Sequence, residues 1–390
     1  MERQAIRKQT PAKAKTKKEP KEKRKEIEKK NKRPMDFVIL ITVIILVCFG
    51  IIMVYDSSYY YAQIRLNNSL YYFNKQLIGA ILGLAAMMFF AYFDYRKLRK
   101  FKYLAMGVSI ALLVLVLFTG TKLGASRWLD VAGISIQPSE IAKFSLILFL
   151  ADSIANNKRM KSFKYGILPY IILIGIVCGL IILQPNFSMV INICLLVFVM
   201  LFVGGARGRH LTFLAGSGVA AGVGLMIAAP YRMKRFLIFL DPFQDPLGDG
   251  FQLVQSLYAV GSGGLFGVGF GNGHQKYLYL LYAESDFIFS IIIEELGLIG
   301  AIVVLCIFGV LIYRGIKVAL TCPDMFGALL ATGIIATIGI QTAIHVAVVT
   351  GSIPPTGLTL PFISAGSSSL IMCMASIGIL LNISKHTTKA

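Results

Sequence analysis

Charge is scarce in this chain. Of its 390 residues only 15% are charged and 56% are hydrophobic, and the mean hydropathy is +0.72. A soluble protein of this length is excluded, and the repeated apolar runs of about 20 residues read as membrane-spanning helices. Acids are scarcer than bases: 19 Asp and Glu stand against 39 Lys and Arg, a formal net charge of +20. Histidine and cysteine are few and scattered, without metal-ligand spacing. A zinc motif is therefore excluded, and the cysteines read as small buried residues. No A-x-A-like cleavage site follows the first apolar run, which is expected to stay as a helix. Seven glycines between Gly261 and Gly273 lack the lysine-serine ending and the strand-turn-helix setting of a phosphate-cradling loop, which excludes a nucleotide site of that kind. No inverted repeat stands out, against the common transporter folds.

Half of the net charge is local. Residues 1–35 hold fifteen Lys and Arg against five Glu, a net of +10, and read as a disordered basic tail. Such a tail suits retention on the cytoplasmic side and contact with anionic headgroups. Without interleaved aromatics it does not suit nucleic acid. The rest, 36–385, divides into ten apolar spans, an all-α polytopic membrane domain, with 386–390 as a short end. The spans are Phe37–Tyr55, Gln76–Phe93, Tyr103–Phe118, Pro138 to the turn at Lys158, Ile167–Leu183, Phe187–Val203, Leu211–Ala229, Asp286–Tyr313, Asp324–Val349 and Phe362–Ile383. A tyrosine-rich loop, Asp56–Asn74, follows the first span, and a long polar loop, 230–285, separates spans seven and eight. Turns after the even-numbered spans carry five, four, two and two basic residues, and both termini are basic. The positive-inside rule then places both termini in the cytoplasm and the long loop outside.

The polar residues that stand out gather at the outer side. Asp286 opens span eight, where an acid suits a helix N-terminus and also stands beside the glycine-rich loop. Glu294 and Glu295 lie deep in the same apolar stretch, and intramembrane acids usually face a protein interior or a wet cavity. Glu140 and Lys143, spaced i,i+3, read either as a buried ion pair or as a cavity wall. Trp128, the one tryptophan, stands beside Arg127 in the loop before span four. It reads as an interface anchor or as a sugar-stacking surface. The segment from Thr356 through Ser364 to Ser369 brings small residues to the start of span ten, permitting close packing or a groove for a lipid tail.

Seven signatures appear in order along the chain. They are Arg127-Trp128, Q-P-S-E-x-x-K from Gln137 to Lys143, Gln184-Pro185, G-x-Q-x-x-Q-S from Gly250 to Ser256, G-S-G-G-L-F-G from Gly261 to Gly267, D-F-I-F…E-E-L-G from Asp286 to Gly297, and P-x-T-G-L-T-L-P-F-x-S from Pro354 to Ser364. With them the chain resembles the SEDS family (shape, elongation, division and sporulation), which includes FtsW, RodA and SpoVE, and looks closest to the FtsW and SpoVE branch. The resemblance implies a ten-helix glycosyltransferase of the bacterial cytoplasmic membrane that polymerises lipid II into peptidoglycan glycan strands at the outer face. It implies a class B penicillin-binding protein as partner, alongside other divisome, elongasome or sporulation proteins. Carried onto this chain, the essential acid falls on Asp286 and its supporting tryptophan on Trp128.

The chemistry asked of such a site is limited. A carboxylate takes the proton from the acceptor hydroxyl, and the leaving lipid pyrophosphate needs charge stabilisation. Arg127, Arg232, Lys234, Arg235 and Lys276 are the external cations expected to supply it. No cofactor is certain; Mg²⁺ or Mn²⁺ is the candidate ion, with no metal motif to hold it.

The chain departs from the family pattern around the site. Leu281, Tyr282, Glu284 and Ser285 stand where the family shows P-E and then His or Gln with Thr. Asn186 replaces the acid of Q-P-D-x-G, and Ser364-Ala365-Gly366-Ser367-Ser368-Ser369 replaces S-Y-G-G-S-S. Glu284 is expected to raise the pKa of Asp286 by like-charge proximity. Two further readings stay open: a lipid II flippase using Glu140, Lys143 and Glu294, and a catalytically weak scaffold that recruits a penicillin-binding protein.

Overall fold

The computed structural model describes residues 34–388 apart from 120–126, 132–133 and 229, and apart from the side chains of residues 131, 134, 231 and 232. The basic tail up to residue 33 lies outside the described residues. The described residues are mostly helical. In order it forms α1 (Phe37–Leu66), α2 (Tyr71–Tyr92), α3 (Lys102–Phe118), a hairpin of β1 (Leu129–Val131) and β2 (Ile134–Ile136), α4 (Pro138–Asn156), α5 (Leu168–Leu183), α6 (Phe187–Val203), α7 (Gly208–Ile227), α8 (Pro230–Leu240), α9 (Phe251–Gly263), α10 (Ile288–Thr321), α11 (Met325–Val349) and α12 (Ser367–Ser384).

Among the described residues eight helices are long and apolar enough to cross a membrane. The other two expected spans are also helical. One is α6, with 17 residues. The other is α4, with 19 residues, which carries Glu140, Lys143 and Asp152 and so loses hydropathy. The cysteines do not share one environment: Cys178 and Cys373 are buried, whereas Cys48, Cys194 and Cys306 are exposed on the helical surface.

Three boundaries differ from those expected, each for a tertiary reason. The first is the loop expected at Asp56–Asn74, most of which is helix. Here α1 runs on to Leu66 with Asp56, Ser57 and Ser58 buried, because Asp56 pairs with Lys276 at 2.7 Å and Ser57 donates back to the Met53 carbonyl at 2.7 Å. The second is the segment 230–285, which contains two helices, α8 and α9, before it becomes irregular. The third is the expected last span, which starts at Ser367 rather than Phe362 because residues 362–366 are bonded elsewhere.

Helices α2 and α12 pack closely against each other. Gly378 makes that approach possible, since a β-carbon there would fall on the Met87 carbonyl, and small residues let helix backbones meet in this way. At the basic end, ion pairs tie the helices together. Arg99 grips Asp324 with two contacts of 2.9 Å, Lys102 meets Asp152 at 2.6 Å, and Arg314 meets Asp36 at 2.7 Å.

The glycine-rich run has a specific task in the fold. Helix α10 breaks at Gly297 (φ 68°, ψ −171°), and a break frees backbone groups that an apolar interior cannot satisfy. The preceding loop supplies the partners. Val268 N donates to the Glu294 carbonyl at 2.9 Å and Gly269 N to the Glu295 carbonyl at 3.1 Å, while Leu298 N and Ile299 N donate to Gly264 and Leu265 at 3.0 and 3.2 Å. A β-carbon at Gly267 (φ 80°) would fall on the Glu295 carbonyl. Gly267→Ala is expected to destabilise the protein by more than about 1 kcal/mol, measured as a lowered thermal unfolding midpoint in detergent. An unchanged midpoint would show that the loop does not close the break.

Candidate active site

At the end of the bundle opposite the basic ion pairs lies a cleft of about 280 Å³. One wall is the first turn of α2, with Tyr72, Lys75 and Gln76; the start of α12 faces it, and Trp128, Glu284 and Ser285 close the rim. Trp128 is 38% exposed, so its ring is open to a ligand. Its neighbour Leu129 pairs with Ile136 in the hairpin, which delivers the chain into α4 with Pro138 in the first turn, a position that suits proline.

Asp286 stands next to this rim, just before α10. Tyr282 has a left-handed backbone (φ 58°), and its carbonyl accepts from both Ser285 N and Asp286 N at 3.1 Å. That turn aims the acid at Gly357, where an added β-carbon would lie 3.4 Å from Asp286 Oδ2. The segment carrying Gly357 is held from both sides. Ser364 Oγ donates to the Ser285 carbonyl at 2.6 Å, and Ala365 N donates to the Glu284 carbonyl at 2.8 Å. Beneath it, Gln341 Nε2 donates to the Thr359 carbonyl at 3.4 Å, and His345 Nδ1 lies 2.9 Å from the Leu358 carbonyl. Ser364 is therefore a scaffold for the acid's loop.

Burial pushes the Asp286 carboxyl up to about 6, although a hydrogen bond from Ser285 and the nearby charges of Arg127 and Arg235 hold it down. Glu284 is pushed further, to about 7, by burial and then by the charge on Asp286. The carboxyl of Asp286 is thus raised as expected, but by burial rather than by the like charge of Glu284. The like-charge effect falls on Glu284, while the Ser285 hydrogen bond and then the charges of Arg127 and Arg235 favour the ionised form of Asp286.

The remaining predicted residues divide clearly. Arg127 sits by Asp286 but is occupied. Its Nε donates to the Gln184 carbonyl at 3.1 Å and its Nη2 to the Pro185 carbonyl, pinning the hairpin to the break between α5 and α6. Arg235 is exposed on α8, and its charge reaches Asp286. Lys234 pairs with Asp249. Arg232 lies outside the described side chains. Lys276 does not face the cleft. It is 2% exposed and pairs with Asp56 and Glu295, each at 2.7 Å.

Glu294 is likewise a structural acid, accepting from His274 N at 2.8 Å and Gln275 N at 3.3 Å. Together with Glu295, which accepts from Gly271 N and Gly273 N at 3.0 and 3.2 Å, it fastens the long segment onto α10. Glu140 and Lys143 form a buried pair at 2.7 Å, and Lys143 also donates to Gln341 Oε1 at 3.1 Å. The pair therefore supports the residues that hold the Gly357 segment. The cleft residues Lys75, Tyr72 and Gln76 did not stand out in the sequence as site residues. Their one signal was position, a basic and amide pair following an aromatic belt.

A family model described as cell cycle protein, of the FtsW, RodA and SpoVE type, matches residues 36–389. Stage V sporulation protein E of Bacillus subtilis (strain 168) is 43% identical over 359 residues, 90% of this chain and 97% of that relative. A probable peptidoglycan glycosyltransferase FtsW of Trichlorobacter lovleyi is 42% identical over 356 residues, 90% and 93% of the two chains. Among solved structures, one reported for a peptidoglycan synthase complex that coordinates polymerisation and crosslinking superposes with a TM-score of 0.74 at 30% identity, covering 90% of this chain and 97% of that one. The rod shape determining protein RodA of Thermus thermophilus superposes with a TM-score of 0.67 at 28% identity, covering 91% and 98%. With the whole membrane domain matched by model, sequence and structure, the chain belongs to the FtsW/RodA/SpoVE family, the SEDS proteins.

Proposed function

We propose that this chain is a peptidoglycan glycosyltransferase that polymerises lipid II, with Asp286 as its general base. The observation that carries the assignment is the placing of the Asp286 carboxylate beside an open cleft, by a turn on the Tyr282 carbonyl that aims it at Gly357, with burial pushing it up to about 6. A base that titrates close to the working pH is both ionised and able to hold a proton. Asp286 takes the proton from the acceptor sugar hydroxyl as that oxygen attacks the anomeric carbon of the donor. Substitution of an α-linked donor to a β-linked product is an inversion, which one displacement accomplishes, by analogy with inverting glycosidases. Trp128 offers a ring face to a sugar, and the charges of Arg127 and Arg235 favour the ionised base.

The reading places all ten helical segments across the cytoplasmic membrane, both termini in the cytoplasm, and the cleft on the outer face. The basic turns support that orientation. The ion pairs at the opposite end close the bundle there, which favours an enzyme of the outer face over a flippase that must open on both sides. A class B penicillin-binding protein is the proposed partner. Among the described residues no group of three metal-ligating side chains comes together, so no step is assigned to an ion. Mg²⁺ or Mn²⁺ would have to bind through substrate phosphates with one carboxylate.

The test is strand synthesis from lipid II, resolved on gels, with the purified protein alone and with its partner. The rate is expected to rise as pH increases through about 6, because the base works only when ionised. A rate that stays flat between about pH 5 and pH 8 would remove Asp286 from the role. Absence of strands even with the partner would leave the flippase or scaffold reading.

A further inference from the structure

Two carboxyls stand two residues apart on one turn, and their surroundings differ. Asp286 is aimed at Gly357, and the charges of Arg127 and Arg235 favour its ionised form. Glu284 instead closes the rim of the cleft and is 6% exposed. Its backbone is fixed, since its carbonyl accepts from Ala365 N at 2.8 Å. Paired carboxyls in unlike surroundings are how one site holds an acid and a base at the same pH.

The titratable groups around Glu284 are Asp286 and Tyr282 on its own turn, and Tyr72 and Lys75 on α2. The charge of Glu284 reaches Tyr72, whereas Lys75 gives its Nζ to Tyr71 OH at 2.6 Å. The hairpin brings Trp128 and Ser135 to the cleft, and the start of α12 brings Gly366 and Ser367, none of them charged. Among the described residues no cation pairs with the Glu284 carboxyl. Burial and then the charge on Asp286 push it up to about 7, against the pull of its own backbone N–H.

We propose that Glu284 works with its proton on, as a hydroxyl donor to a non-bridging oxygen of the leaving diphosphate, while Asp286 works ionised as the base. The proposal rests on the polymerase reading. The proton of the acceptor hydroxyl goes to Asp286, and Glu284 keeps its own. Its hydrogen bond strengthens as negative charge gathers on the diphosphate, which is where a preset donor lowers a barrier. An ionised Glu284 would repel that charge and offer no donor. The sequence fits the same role. Glu284 stands where the family shows His or Gln, both of them donors without negative charge. A glutamate matches them only when protonated.

Strand synthesis by the full-length protein with its partner is measured from about pH 5 to pH 9. The parent rate is expected to rise through about 6 as Asp286 ionises, and to fall above about 7 as Glu284 does, by about tenfold per pH unit. Glu284→Gln keeps a donor at every pH. It is expected to hold the parent's peak rate within about threefold and to lose the alkaline fall. Glu284→Met has neither charge nor donor, and is expected to lose about tenfold or more at every pH while keeping its thermal transition. Trp128, the single tryptophan, shares the rim with Glu284, and a carboxyl and a carboxylate quench an indole differently. Its emission without substrate is expected to step near about pH 7, and Glu284→Gln to lack the step.

A parent rate that holds up to about pH 9, a Glu284→Gln protein that keeps the alkaline fall, or a Glu284→Met protein as active as Glu284→Gln would each overturn the proposal. So would a parent without the emission step, a result that needs neither a variant nor strands. A protein that shows the step but makes no strands at any pH loses the polymerase reading, and the donor role with it. One that makes strands without the step loses the donor role alone, so the two failures are distinct.

Discussion

Replacing Asp286 by Asn is expected to remove strand formation while leaving the protein folded. The two side chains have nearly the same shape, and an amide cannot accept the hydroxyl proton. Removing a general base costs about 10²- to 10⁴-fold in rate, enough to empty a gel of product. The surroundings argue that the fold survives. The turn that presents the residue is made by backbone bonds to the Tyr282 carbonyl, and the overlying segment is held by Ser364, Gln341 and His345, not by the acid. Asp286→Asn is therefore expected to elute and unfold like the parent. Strands made by the variant at the parent rate would end the general-base assignment. A variant that loses strands and also loses its thermal transition would show a structural acid instead.

The second large effect lies away from the chemistry. Lys276→Met is expected to destabilise the folded protein by about 3–5 kcal/mol, the cost of breaking a buried ion pair by removing one partner. Lys276 Nζ stands between Asp56 on α1 and Glu295 on α10 at 2.7 Å from each, and without it two carboxylates are left buried and close together. The methionine fills similar space, so a cavity does not explain the loss. Thermal unfolding in detergent gives the stability, and strand synthesis per folded molecule separates it from function. A residue that only holds the segment lowers the first and largely spares the second. A Lys276→Met protein with normal stability and a raised KM for lipid II would return Lys276 to the substrate.

These two residues also show how far the sequence could be read. Asp286 was legible because an acid at the head of an apolar run, after a glycine-rich loop, is unusual wherever it occurs, and the ordered signatures placed it in a family. The apolar runs were legible because each is a local pattern. Lys276 was not, because an external lysine and a buried one look alike until its partners are known. Asp56 is 220 positions away. The same distant pair hid the true length of α1, since the polarity change at Asp56 reads as a helix leaving the membrane. The cause of the raised Asp286 carboxyl was missed for a similar reason. Proximity in sequence shows the repulsion, but only the fold shows that burial raises Asp286 and that Ser285, Arg127 and Arg235 oppose the rise. Lys75 needed both α2 and α12 to become part of a cleft.

The broken helix α10 has a consequence for how the protein is made. Its open rung is closed by the backbone of residues 264–269, which precede it in the chain. Synthesis runs from the amino end, so those residues leave the ribosome before Glu294 and Leu298 do. The piece that completes the helix already exists when the gap appears, and membrane insertion never has to wait for a later segment to cover it. A circular permutant cut between residues 269 and 288 reverses that order, and would expose the bare rung during biogenesis while leaving the finished fold the same.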